Sequence, residues 1–287
     1  MYIWIISVFI FFVALAAIVW QLAVISQTPR RVPLDTKPDF PLEKVTFKSG
    51  SEKVAGWFIP IQTNQHEKSP LIILVHGWGS NRAKMKRYVK PLFDAGYALL
   101  LFDVRSHGES DEVHALTVKT FRDDILAAVQ YAKTKKGIDP VRIGVLAHSF
   151  GGFGSILANQ HDIGVKAIVA DSTPAQISTI MKAALKKYKL PYFPLGPVIS
   201  KIMFVRARIS AKELKEFDVP NALRERKAPA LLIHSKMDDY VPSSELDYIL
   251  ENVDVPHLYV ESKGHRSSES DPQFWPQVLS FFKQHLK

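Results

Sequence analysis

The chain has 287 residues, 47% hydrophobic and 23% charged, with a formal net charge of +9. That length buries a full core in one large domain or two small ones, and the composition excludes a disordered chain, a collagen and a disulfide-stapled mini-protein. There is no cysteine, so cysteine nucleophiles, thiolate metal sites and disulfides are ruled out. The basic balance points to an anionic surface among the partners, either membrane headgroups or nucleic acid.

The apolar content is concentrated at the start. Residues 1–29 carry no Asp, Glu, Lys or Arg, and Tyr2–Ile25 is broken only by Ser7 and Gln21. Roughly 20 apolar residues cross a bilayer core of about 30 Å, and Tyr2, Trp4 and Trp20 lie where interfacial aromatics belong. Residues 1–26 are therefore expected to form a single-pass transmembrane anchor. The run is long, has no preceding Lys or Arg, and lacks an A-x-A before Ser26, all of which count against a cleaved signal peptide. Arg30, Arg31, Lys37 and Lys44 follow it, which places the rest of the chain in the cytoplasm by the positive-inside rule. Residues 27–42 hold four prolines and read as a semi-rigid extended linker.

From residue 43 onward strands and helices alternate. Val45–Phe47 and Val54–Ile59 read as short strands about a Ser-Gly turn. Leu71–Val75, Ala98–Phe102, Arg142–Leu146, Val165–Ala170 and Ala230–Ile233 are apolar runs suited to strands buried on both faces, and Leu258–Val260 is a weaker eighth. Val118, Phe121, Ile125, Val129 and Ala132 fall on one helical face, with Gly137 as a stop. Such alternation implies a mainly parallel sheet covered on both faces, with ligands at the carboxyl ends of its strands.

The segments after those strands are the informative ones. Ala147-His148-Ser149-Phe150-Gly151 is one residue away from G-x-S-x-G, a turn that needs small residues two before and two after the serine. His234 to Pro242 reads HSKMDDYVP, close to H-G-x-x-D-x-x-V-P. The last strand leads to Gly264-His265. His76-Gly77-Trp78-Gly79 follows the strand 71–75, and Asp103 to Ser110 (DVRSHGES) follows the strand 98–102. Alone, Ser149 or Asp238 would be read as a helix cap and His265 as a solvated loop histidine.

Together these segments, over about residues 43–287, resemble the α/β-hydrolase-fold serine hydrolases of the monoglyceride-lipase and serine-aminopeptidase-like branch. The resemblance implies a mostly parallel eight-stranded sheet with helices on both faces and a small helical cap, here preceded by one transmembrane helix. It implies a nucleophile at Ser149, an acid at Asp238 and a base at His265, in that order along the chain. Asp239 is the adjacent rival for the acid and Asp171 the distant one. The oxyanion donors would be the backbone N–H groups of Trp78 and Phe150. His107 would be structural, pinning a loop beside the oxyanion turn. The activity implied is cleavage of carboxylic esters or thioesters through an acyl-enzyme, with a peptidase as the enzymatic runner-up and a non-catalytic binding or scaffold protein as the alternative from another class.

The cap insert is expected over about residues 173–228. Residues 173–226 hold eleven Lys/Arg against four acids, a net +7, interleaved with aromatics and aliphatics. That pattern suits either a surface meeting anionic lipid or a solvated basic face over an ordinary cap core. Without an accompanying motif the charge does not imply nucleic acid. The ten histidines show no ligand spacing for a metal, and no glycine-rich nucleotide loop is present, so no cofactor is expected.

Overall fold

The computed structural model describes residues 2–37, 39–61 and 67–287. A long helix, α1 (Tyr2–Ser26), leads into β1 (Glu43–Ser49), β2 (Glu52–Ile59) and β3 (Ser69–Val75). A 3-10 stretch (Arg82–Tyr88) runs into α2 (Val89–Asp94), then β4 (Ala98–Phe102), α3 (Val118–Thr134), β5 (Ile138–His148), α4 (Phe150–Ala158) and β6 (Val165–Asp171). Four helices follow: α5 (Ile177–Lys187), α6 (Leu195–Arg206), α7 (Ala211–Glu216) and α8 (Val219–Arg224). The chain finishes with β7 (Ala230–Met237), α9 (Ser244–Asn252), β8 (His257–Lys263) and α10 (Phe274–His285).

All eight expected strands join one sheet in the order β1-β2-β4-β3-β5-β6-β7-β8. The β1–β2 hairpin and the β2–β4 pair are antiparallel, and every pair from β4 to β8 is parallel. The hairpin closes at Gly50 (φ 63°) and Ser51, between the paired Ser49 and Glu52. Side-chain alternation divides the core. Leu71, Ile73 and Val75 of β3 pack with Phe121, Ile125 and Val129 of α3. Ile72 and Leu74 pack with Leu92 of α2 and with Phe274, Val278 and Phe282 of α10. The expected apolar stripe of α3 is thus its buried face.

Helix α4 packs tightly against α3 at Gly154. A Cβ built there would lie 2.6 Å from the Phe121 Cβ.

The segment after β6 divides in two. Val219, Ala222 and Leu223 of α8 pack with Phe153, Ile156 and Leu157 of α4 and with α9, in the layer covering the sheet. Helices α5 and α6 instead form a separate small core, in which Met181, Leu185 and Ile199 meet Ala23 of α1.

Helix α1 is exposed over most of its length and buried only at Ala23. Its end is fastened by Gln27, whose amide donates to Met203 O (3.0 Å) and Leu116 O (3.4 Å) and accepts from Arg206 Nε (3.0 Å). Beyond it, residues of the expected extended linker lie along the domain. Arg31 donates to Gly108 O and Ser110 O, and Asn81 Nδ2 donates to Val32 O and Pro33 O. Polar side chains of the following domain satisfy carbonyls that a proline-interrupted segment cannot pair within itself.

Gly→Ala within a helix ordinarily gains up to about 1 kcal/mol. At Gly154 the sign reverses: Gly154→Ala lowers stability by about 1–3 kcal/mol, because the new methyl overlaps Phe121. A urea titration of both proteins, with an unchanged slope and a lower midpoint for the variant, checks this.

Candidate active site

Strand β5 ends in a sharp turn. Ser149 takes φ 56° and ψ −122°, a left-handed conformation costly for any residue with a Cβ. Its N–H is held by Asp171 O (2.8 Å), and its carbonyl accepts from Phe153 N–H (3.1 Å) at the start of α4. The small neighbours serve close approach. A Cβ at Gly151 would stand 2.6 Å from His76 O and 2.7 Å from Val75 O, and one at Gly77 would stand 2.9 Å from the Ser149 Cβ. Ala147, where the resembling motif has glycine, is fully buried in the core.

The turn at Ser149, the loop after β7 and the loop after β8 meet. His265 Nε2 lies 2.9 Å from Ser149 Oγ, and His265 Nδ1 lies 2.7 Å from Asp238 Oδ2. With Nδ1–H donating to the carboxylate, Nε2 is left to accept a hydrogen bond from the Ser149 hydroxyl. Burial pushes the Asp238 carboxyl up. The hydrogen bond and charge of His265, with the N–H groups of Tyr240 and Val241, outweigh it and hold Asp238 below the usual carboxylate value.

Both rival acids have other tasks. Asp239 Oδ1 accepts the backbone N–H of His265 (3.2 Å), steadying the loop. Asp171 accepts from Tyr88 OH (2.6 Å) and pairs with His148 Nδ1 (3.3 Å), its neighbour in the β5–β6 register. Burial raises the Asp171 carboxyl, but those two hydrogen bonds and the charge of Arg87 hold it well below the ordinary range. The His148 ring sits 4.7 Å from that of His265, with a buried Nε2 that has no partner among the described residues. Nothing local in the sequence marks this network; its one signal is that His148 and Asp171 both end neighbouring parallel strands.

Trp78 and Phe150, expected as oxyanion donors, stand together, their rings 5.2 Å apart. As the first residue of α4, Phe150 has an N–H with no partner inside the helix. The Trp78 loop is braced as expected for His107, whose Nε2 accepts from Gly79 N–H (3.1 Å) while Nδ1 donates to Arg105 O (3.1 Å). His76 does the same between β3 and β4, accepting Val104 N–H at 3.0 Å. Below them Asp103 accepts the N–H groups of Arg82 (2.7 Å) and Glu109 (2.9 Å) and forms a buried ion pair with the Arg82 guanidinium.

Ser149 and His265 open onto a cavity of about 1090 Å³, at the top of the range of about 300–1,000 Å³ usual for ligand pockets. Phe150, Ile177, Ile180 and Met181 line it from the domain and α5, and Ile25 from the last turn of α1. The helix and its linker, expected only to tether the domain, thus form part of this wall.

The sequence profile of the alpha/beta hydrolase fold family matches residues 70–262, and the chain belongs to that family. It is 34% identical over 287 aligned residues to an uncharacterized 31.7 kDa Escherichia coli protein from the traX-finO intergenic region, covering 85% of this chain and all of that protein. It is 29% identical over 203 residues to the uncharacterized Bacillus subtilis protein YqkD, covering 69% of this chain and 65% of YqkD's length. Among solved structures, the Pyrococcus furiosus esterase Pf2001 superposes with a TM-score of 0.69 at 25% identity, over 90% of this chain and all of the esterase chain.

Burial holds three imidazoles around the site neutral, with His76 and His148 lowered to about 4 and His107 to about 3, from an ordinary 6.5. Between pH 6.5 and those values the unfolded chain binds more protons than the folded one, so stability present above pH 6.5 is lost as pH falls. Asp103 and Asp124, raised by burial, act in the opposite sense at lower pH. The melting temperature is therefore expected to fall from pH 7 to 5.5, with unfolding taking up as many as about three protons from these rings. Thermal scans across that range check it, and a flat profile would contradict it.

Proposed function

We propose that the protein is a membrane-anchored serine hydrolase that cleaves carboxylic ester or thioester bonds of acyl, lipid-like substrates, in the monoglyceride-lipase and serine-aminopeptidase-like branch of its family. The observation that carries this reading is the continuous hydrogen-bonded line from Ser149 through His265 to Asp238 at the carboxyl end of the sheet. The fold it shares with esterases is consistent with that chemistry.

Ser149 Oγ attacks the acyl carbonyl carbon while its proton passes to His265 Nε2. Asp238 holds the imidazole by its Nδ1–H and stabilises the imidazolium. The carbonyl oxygen, now an anion, is received by the N–H groups of Trp78 and Phe150. When the bond to the leaving group breaks, His265 returns the proton to the departing oxygen or sulfur, leaving an acyl-serine. Water then adds to that carbonyl, giving its proton to His265. The carbon–Oγ bond breaks, Ser149 takes the proton back, and the free acid departs. None of these steps calls for a metal or cofactor.

The anchor reading rests on α1. The helix has a mean hydropathy of 2.8 over its 18-residue window, none of which is buried. Its packing through Ala23 and Gln27 ties it into the folded chain, which supports retention over removal as a signal. The Lys/Arg bias after α1 puts the domain on the cytoplasmic side. Beside α1, the segment between β6 and β7 exposes Tyr188, Phe193, Val198 and Val205 among basic residues, a surface suited to an anionic leaflet.

Turnover of p-nitrophenyl esters by the full chain in detergent is expected to fall at least about 10⁴-fold in Ser149→Ala. Asp238→Asn should lose far more than Asp171→Asn. A fluorophosphonate probe should label wild type and spare Ser149→Ala. No turnover and no labelling in well-folded protein would sink the hydrolase reading, while cleavage restricted to peptides would move it to a peptidase. In cells, the chain should resist alkaline carbonate extraction, and a cysteine introduced in the domain should escape an impermeant thiol reagent.

A further inference from the structure

The mouth of the cavity carries more positive charge than the reaction requires. Six cationic side chains line it: Arg30, Lys84, Arg87, Lys187, Lys263 and Arg266. Two are neutralised, Lys84 by Asp35 (2.8 Å) and Arg87 by Glu269 (3.4 Å). The other four have no ion-pair partner among the described residues, and they come from four places in the fold. Arg30 follows α1, Lys187 ends α5, Lys263 ends β8 and Arg266 follows the proposed base. The one lining acid, Asp239, accepts the N–H of His265.

Four cations without ion-pair partners around one cavity, against the single carboxylate of Asp239, give it a net positive lining and a local positive potential. Dispersed surface lysines do not produce such a focus. The lining also has an apolar part, Ile25 of α1 with Ile177, Ile180 and Met181 of α5. A ligand matching both ends has one hydrocarbon tail and an anionic group on the leaving side of the bond that is cut. Phosphate oxygens accept several charge-assisted hydrogen bonds from guanidinium and ammonium groups at once.

We infer that the cavity selects a single-chain acyl ester or thioester whose leaving group carries a phosphate. The tail lies between the end of α1 and α5, and the phosphate sits among Arg30, Lys187, Lys263 and Arg266. The bond cut follows from the hydrolase reading above, and the binding preference is separable from it. Two sources share this chemistry, an anionic lysophospholipid in the bilayer and a soluble acyl-coenzyme A.

The test uses the full chain in nanodiscs of zwitterionic phosphatidylcholine, so that general attraction to an anionic leaflet plays no part. Oleate release is compared for 1-oleoyl-lysophosphatidylglycerol, oleoyl-coenzyme A and neutral 1-monooleoylglycerol. At least one phosphate-bearing substrate should exceed monooleoylglycerol by tenfold or more in kcat/KM, and which one does so identifies the source. In Arg30→Gln/Arg266→Gln that ratio should drop to within threefold of unity, mainly through KM. It should also shrink in wild type as ionic strength rises. Lys48→Gln/Lys166→Gln, with the same loss of charge outside the cavity, should keep the ratio. Near-equal rates on all three substrates, or a preference that survives the Arg30/Arg266 change, would overturn the inference. Binding to Ser149→Ala, followed by tryptophan fluorescence, separates the two readings. Tighter binding of the phosphate-bearing compounds without any turnover by wild type keeps the phosphate site and removes the hydrolase. Turnover of esters with no binding preference does the reverse.

Discussion

A residue with a Cβ held at φ 56° costs on the order of 1–3 kcal/mol, and Ser149 stays there because the surroundings allow no alternative. The parallel strands on either side fix both ends of its turn. Asp171 in β6 takes its N–H, while Gly151 slides beneath the last carbonyls of β3. Each of these depends on the sheet order that puts β5 between β3 and β6. The apolar faces of β3 and β5, buried under α3 and α10, make that centre stiff. In this sense the core of the domain is the clamp for one backbone turn, and the Ser149 hydroxyl is held at the carboxyl end of β5 because that turn cannot relax.

Around the turn, polar groups are buried in pairs that satisfy one another. His76 and His107 each join two loops by accepting one N–H and donating to one carbonyl. Asp103 and Arg82 are both nearly inaccessible and lie beneath the same loops. A buried ion pair of this kind adds little net stability, but losing one partner costs about 3–5 kcal/mol, so it fixes the loop geometry strongly. The neutral imidazoles that result serve as struts, whereas His265, partly open to the cavity, is the one set between a hydroxyl and a carboxylate.

The sequence was most legible where period and punctuation coincide. Continuous apolar runs marked β3, β4, β5, β6 and β7, and the residues after β5, β7 and the weaker run of β8 marked Ser149, Asp238 and His265, which the structure brings into one line. What escaped were relations with no local signature. His148 and Asp171 are 23 residues apart, and only strand register makes them neighbours. The docking of residues 27–33 depends on Asn81 and on the backbone of residues 108–110, far along the chain. Prolines there suggested a semi-rigid extended linker, but proline punctuation reveals only the absence of helix and nothing of what the extended chain lies against. The stretch 219–224 read as part of the cap insert, yet its apolar face belongs to α4, a distinction composition cannot make.

The latch at Gln27 has a further consequence. A 25-residue helix is a rod of roughly 37 Å, and Gln27 joins its end to α6 and to the loop at Leu116 through three hydrogen bonds. Arg206, one of those partners, also lies 5.4 Å from the centre of the Trp20 ring. A swivelling tether would let the domain sample every height and tilt above a bilayer. This one sets the altitude and bearing of Ser149 relative to the rod. With α1 across a membrane, the domain would graze a single leaflet at constant depth, and an ester in the far leaflet would be out of range until it flipped.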